Sequence, residues 1–179
     1  MLYIDQNNYA VAKAIMRIKG VLDISGIHEF QYLPKEQLWF PSNKTFKIVK
    51  GKNDVYHMVW TTDWKGGNGF GYASSKDLIH WSEQQYIPVM KNEPEVVNVW
   101  APEIFYDDVK KEYIIIWAST IPFRFAKGVE EEKNNHRMYY VTTKDFKTFS
   151  DTKLYYDPGF SVIDCVIVKK SKKEYVLVL

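Results

Sequence analysis

The chain has one cysteine, Cys165, in 179 residues, which excludes an internal disulfide framework and a Cys-rich metal site. Cys165 is expected as a small core residue and not as a nucleophile. The four histidines, His28, His57, His80 and His136, are scattered without metal-ligand spacing, so no metal and no other cofactor is expected. Neither sign of charge dominates. The net charge is +2 and no dense Lys/Arg patch occurs, so a nucleic-acid partner is not expected. Lys169, Lys170, Lys172 and Lys173 read as a solvated hairpin turn. No apolar run approaches the roughly 20 residues of a membrane span, and no membrane partner is expected. The opening MLYIDQNNYAVAKAIMRIKG lacks a basic n-region, and Lys13 and Arg17 break its apolar residues, so it does not read as a secretory leader. Compartment is left open.

What the chain has in plenty is aromatic side chains, 16% of residues, with 6 Trp and 13 Tyr. Such rings fill β-cores and also stack on the apolar faces of sugars, and composition does not separate the two uses. Hydrophobic residues at 46% and charged residues at 26% are ordinary for a folded globular domain.

Two regions differ in pattern. In residues 1–44, Ala10, Val11, Ala14, Ile15 and Ile18 recur at helical spacing, with Gly20 as a stop. The segment after Gly20 has no clear period. A short helical and irregular segment is therefore expected there, followed by an all-β domain over 45–179. In that domain, FKIVKGKNDVYHMVWTT, IFYDDVKKEYIIIWAST and CVIVKKSKKEYVLVL share one plan: a strand, a charged turn, then a strand opened by Tyr56, Tyr113 or Tyr175. A second element also repeats. ASSKDLIHWSE and VTTKDFKTFSD each carry a Lys-Asp pair and end in an aromatic residue followed by Ser, with an acid after it. Recurrence of short strands at a period near 60 residues is the pattern of propeller blades. Gly66, Gly67, Gly69 and Gly71 lack the following Lys-Ser/Thr of a phosphate cradle and read as a flexible loop near a pocket.

VYHMVWTTDW, GFGYASSKDLIHW, NVWAPEIFYDD, HRMYYVTTKDFKTF and FSVIDCVIV, in that order, resemble glycoside hydrolase family 43 and its five-bladed relatives. The resemblance implies a partial five-bladed β-propeller of about two and a half blades. It also implies inverting hydrolysis of arabinosyl- or xylosyl-type glycosidic bonds, with a carbohydrate as the substrate. Such enzymes use three carboxylates from innermost strands: a general base, an acid that tunes pKa, and a general acid. Base and acid flank the bond about 6.5–9.5 Å apart so that a water fits between.

Carried over by resemblance, Asp164 matches the pKa modulator. Glu103, counted back from Tyr113, matches a pocket carboxylate, and Trp100 beside it is a candidate sugar platform. Trp64, His57 and Arg137 complete the implied sugar-binding set. The position of the base reads Thr45, which does not ionise at working pH, and no Asp or Glu occurs between Glu36 and Asp54. The general acid is expected from a fourth blade, beyond Leu179. The catalytic set is thus incomplete in this chain. The alternative is a non-catalytic carbohydrate-binding or interaction module that keeps the aromatics and Glu103. The run EYVLVL is expected as an open edge strand, suited to pairing with a second copy or a complementing fragment.

Overall fold

The structure is a computed structural model. It describes three strands near the N-terminus, by backbone only, and residues 46–179 apart from 52–53 and 172–173. The chain divides into two compact units, Met1–Asn43 and Lys44–Leu179. In the first, β1 (Leu2–Ile4), β2 (Val11–Arg17) and β3 (Ser25–Glu29) form an antiparallel sheet in that order. The helix expected over 10–18 is therefore replaced by β2. Val11 and Ile15 lie four apart, a spacing that fits a strand period of two as well as a helical turn. Pairing with β1 on one side and β3 on the other satisfies the backbone of β2 without a helix.

The second unit is built as blades. The first consists of β4 (Phe46–Lys50), β5 (Tyr56–Thr61), β6 (Phe70–Ser75) and β7 (Gln85–Ile87), paired in sequence order. The second consists of β8 (Trp100–Asp107), β9 (Glu112–Ser119), β10 (Arg137–Thr143) and β11 (Lys153–Tyr156), also in sequence order. β12 (Val166–Lys169) and β13 (Tyr175–Val178) form a two-stranded third sheet. All pairings are antiparallel, as hairpin connections require. The result is all-β and a partial propeller. Its innermost strands are β4, β8 and β12.

β9 shows why the sequence folds this way. Its run Tyr-Ile-Ile-Ile-Trp-Ala does not alternate with polar residues, because both faces of the strand are covered. Tyr113, Ile115 and Trp117 pack together with Ile104 of β8 against Val59, Phe70 and Tyr72 of the first blade. Ile114, Ile116 and Ala118 pack toward the third sheet with Val162, Cys165, Ile167 and Leu177. Each large side chain fully buried here contributes roughly 1.5–3 kcal/mol.

The repeated Lys-Asp element is a turn. Ser75 Oγ accepts from the N–H of Leu78 at 2.9 Å, and Asp77 Oδ1 accepts from Ile79 and His80 N–H at 2.9 and 2.8 Å. In the second blade, Thr143 Oγ1 accepts from Phe146 N–H at 2.9 Å, and Asp145 Oδ1 from Lys147 and Thr148 N–H at 2.8 and 2.9 Å. Leu78 and Phe146 take positive φ at the same place, 65° and 56°. The Ser that follows the aromatic closes the element. Ser82 Oγ accepts from Ser74 N–H at 3.0 Å, and Ser150 Oγ from Thr142 N–H at 2.9 Å. The backbone N–H groups of Thr148 and Lys147 hold the Asp145 carboxyl down to about 2.

The Gly-rich stretch divides in two. Gly66, at φ +82°, turns in open space, as expected of a loop. Gly69 and Gly71 instead permit close approach: a Cβ on Gly69 would stand 2.2 Å from the carbonyl oxygen of Ile87, and one on Gly71 2.1 Å from Trp60. Gly71 lies within β6, so the loop reading fails there.

Candidate functional site

The innermost strands begin at one end of the blades. There, the loops before and after them are laced together. Gly66 N–H donates to Val97 C=O at 2.8 Å, and Val97 N–H to Thr120 C=O at 3.0 Å. Ala101 N–H donates to Thr61 Oγ1 at 2.9 Å, and His136 N–H to Ser161 Oγ at 3.0 Å. Trp64, Trp100, Glu103 and Asp164 all stand on these starts or loops.

Strand register, not residue counting, sets which positions are equivalent. Tyr56, Tyr113 and Tyr175 pair with Lys50, Tyr106 and Lys169. Stepping back from those partners places Lys47, Glu103 and Val166 level with one another, and Asp164 two residues before that level. Glu103 is therefore not the counterpart of Asp164. The turn before Tyr113 holds one residue more than the turn before Tyr175, and β8 shifts register between Trp100 and Glu103. Ala101 and Asp164 share a left-handed backbone, φ 45° and 59°. Asp tolerates that conformation better than most residues. The Asp164 side chain is exposed, in the segment just before β12. Thr45 lies outside the described residues.

Glu103 is 9% exposed, and Lys47 Nζ stands 3.1 Å from its Oε2 as an ion pair. Burial pushes the Glu103 carboxyl up, Lys47 pulls it down, and burial prevails. Lys47 comes from β4 and Glu103 from β8, so the pair bridges adjacent innermost strands at the same level. Cys165, buried beside them, has its thiol pushed up to about 12, first by burial and then by Glu103. That is a packed thiol, not a nucleophile.

The aromatics form a stack. Trp64 lies on Trp100 with centroids 4.7 Å apart, and Trp100 lies on His136 at 4.8 Å. Trp100 Nε1–H donates to the Trp64 carbonyl at 2.9 Å. Both faces of Trp100 are thus taken, and the open ring at the outer end is Trp64, 69% exposed.

Two expected members do not join. His57 stands at the far end of β5, in register with Val49, whereas Trp60 and Thr61 lie at the Trp100 end. Its ring packs on Phe146 at 4.1 Å and bonds the Tyr72 hydroxyl through Nδ1 at 2.8 Å. Burial lowers its pKa to about 4. Arg137 reaches the correct end but is 1% exposed and spent internally. Its Nε donates to Asp157, Nη1 to Asn135 Oδ1 at 2.8 Å and His136 C=O at 2.9 Å, and Nη2 to Ala126 C=O at 2.9 Å. Four of its five donors are used, so it braces the loops and does not reach for sugar. Among the described residues no group of three or more His, Cys, Asp and Glu could hold a metal ion.

Sequence reasoning missed Lys47, Asn98 and His136. Only His136 left a trace, in its position beside Arg137 at a strand start.

The fold defines a partial propeller with carboxylates and stacked aromatics at the blade starts. A profile of the family described as "Probable glycosyl hydrolase domain", related to glycoside hydrolase family 43, matches residues 40–178, and the chain belongs to that family. It is similar to an alpha-L-arabinofuranosidase of Bifidobacterium longum subsp. longum, 25% identical over 124 residues, which is 66% of this chain and 10% of that protein. In fold it is similar to the crystal structure of a thermostable family-43 glycoside hydrolase, with TM-score 0.54 and 15% identity, covering 76% of this chain and 41% of that one. The chain thus spans well under half the length of each.

Proposed function

We propose that the chain carries part of an inverting glycoside-hydrolase site for arabinosyl- or xylosyl-type residues, with Asp164 as the pKa-modulating carboxylate. The observation that supports this reading is the Trp64–Trp100 stack with Glu103 on the same strand as Trp100, and Cys165, the neighbour of Asp164, packed in one cluster with Trp100, in a chain of this family. Trp64 offers its outer face to the apolar face of a sugar. Glu103, paired with Lys47, is the acceptor for sugar hydroxyls on this reading. The base position at Thr45 carries no carboxylate, and the general acid is not among the residues identified.

That gap favours a second reading, a carbohydrate-binding module without turnover. The observation behind it is Lys47, a cation where the register puts β4 level with Glu103. The outer edge of β13, which carries exposed Val176 and Val178, is the proposed place for a further strand, from a second copy or a complementing segment.

The test is calorimetric binding of arabino- and xylo-oligosaccharides to the full chain, beside turnover of aryl arabinofuranosides and xylosides. Turnover abolished by Asp164→Asn supports the hydrolase reading. Binding without turnover, once a base and an acid are supplied together with the chain, supports the binding module. Absence of binding refutes both.

A further inference from the structure

The stack that ends in Trp64 has a buried root, and the root is fixed by hydrogen bonds that nothing in the proposed chemistry uses. Asn98 is 0% exposed and His136 3% exposed. Asn98 Oδ1 accepts from the backbone N–H of Thr120 at 3.0 Å, which settles the orientation of its amide. A flipped amide would set its NH2 against that N–H, donor to donor. Asn98 Nδ2 therefore donates to His136 Nε2, at 2.8 Å. Nε2 is then an acceptor, and the ring proton sits on Nδ1, facing the Asn134 carbonyl at 2.9 Å. One tautomer and one ring plane satisfy both partners. Burial also disfavours the charged form of His136.

This fixed plane is the surface on which Trp100 lies, at 27° and 4.8 Å, and Trp64 lies on Trp100 at 26° and 4.7 Å. The Trp64 loop is tied to this stack and to its neighbour, with Trp100 Nε1–H on the Trp64 carbonyl at 2.9 Å and Gly66 N–H on the Val97 carbonyl at 2.8 Å. The main chain of the same histidine reaches the other side of the site. His136 N–H donates to Ser161 Oγ at 3.0 Å, and Val162 N–H donates to His136 C=O at 3.3 Å. Those bonds hold the segment that leads into Asp164.

We propose that His136, locked by Asn98, is a positioning residue for saccharide binding: its ring sets the Trp100–Trp64 stack and its backbone sets the segment carrying Asp164. The inference rests on the reading of Trp64 as a sugar platform. A histidine that merely fills the core would also be buried and bonded. What distinguishes the positioning role is that its effect on binding passes through Trp64.

The experiment is a double-mutant cycle on the full chain, with oligosaccharide affinity from calorimetry and folding from chemical denaturation. His136→Gln removes the ring and Trp64→Ala removes the platform. Each is expected to weaken binding about tenfold, the scale of one aromatic stacking contact. The double variant is expected to bind no worse than Trp64→Ala within about threefold, because the ring has nothing left to position. His136→Phe keeps a stacked ring and is expected to retain affinity within about threefold, which tests the same role should His136→Gln not fold. Full affinity in a folded His136→Gln, additive losses in the double variant, or a tenfold loss in a folded His136→Phe overturns the inference alone. A wild-type chain that binds no saccharide overturns the platform reading and the inference with it.

Discussion

Acidification should destabilise the second unit through His57, and the amount can be worked from its surroundings. The ring stacks on Phe146 at 4.1 Å, meets Tyr113 edge-on at 5.1 Å, and bonds the Tyr72 hydroxyl at 2.8 Å. The Tyr72 hydroxyl, pushed up to about 12 by burial, stays protonated throughout the relevant range. Burial lowers the His57 pKa from 6.5 to about 4. The folded state therefore binds fewer protons than the unfolded state between these values. Stability is fully present above the unfolded pKa of 6.5 and is lost as pH falls toward 4.

Each pH unit in that window is worth about 1.4 kcal/mol, so falling to about pH 4.5 has a ceiling near 2.7 kcal/mol. The ring is only partly buried, and solvent screening roughly halves this, to about 1.3 kcal/mol. Glu103 acts with the opposite sign, since its raised pKa makes protonation favour the folded state. His136, also lowered by burial, acts with the same sign as His57. A difference measurement removes both. Urea unfolding would be followed by Trp fluorescence at several pH values between about 4.5 and 7, for the wild type and for His57→Phe, which keeps the stack but cannot charge. The stability of the wild type relative to the variant should fall by about 1.3 kcal/mol across that range. A difference that stays flat, or that grows in favour of the wild type as pH falls, refutes the argument.

Arg137→Met keeps length but leaves Asp157, Asn135 and the carbonyls of Ala126 and His136 without their donor. A loss of about 1–3 kcal/mol is expected from chemical denaturation, the cost of leaving buried acceptors without their donor. Gly69→Ala would set a Cβ 2.2 Å from the Ile87 carbonyl oxygen, a backbone atom that cannot swing aside. It should cost about 1–3 kcal/mol by thermal or chemical unfolding, whereas Gly66→Ala, with nothing within 4 Å, pays only for its positive φ, about 1 kcal/mol.

The blades were legible because their signals are local. A Tyr opening the second strand of each repeat, and a Ser or Thr followed by Lys-Asp at the end of each third strand, are written within a dozen or so residues, and the turns they encode close on themselves. The N-terminal strands were not legible, because Val11 and Ile15 satisfy two periods and β2 is decided by its partners β1 and β3. His57 illustrates the limit for sites. Its sequence neighbours Trp60 and Thr61 do lie at the site end, yet a six-residue strand carries His57 to the other end of the blade. Arg137 shows the complement: its place was legible, but its use was not, since its partners Ala126 and Asp157 lie in loops with no motif of their own.

Lys47 carries the sharpest consequence of that limit. From spacing alone, the first repeat shows an absence, Thr45 where a base belongs. The register shows a presence two residues further along: a cation level with Glu103 and 3.1 Å from it. A general base on water must be ionised and free to take a proton, and a pKa modulator works by facing another carboxylate. An ion pair between neighbouring innermost strands does neither. It cancels charge at the level where an inverting site needs its carboxylates to differ in protonation. What it does provide is a fixed pair of donor and acceptor beside an aromatic stack, the combination that orients sugar hydroxyls. On the proposed reading, the residues of this chain are therefore better matched to holding a saccharide than to cleaving it, and Asp164 acts in hydrolysis only where a base and an acid are supplied from outside the set found here.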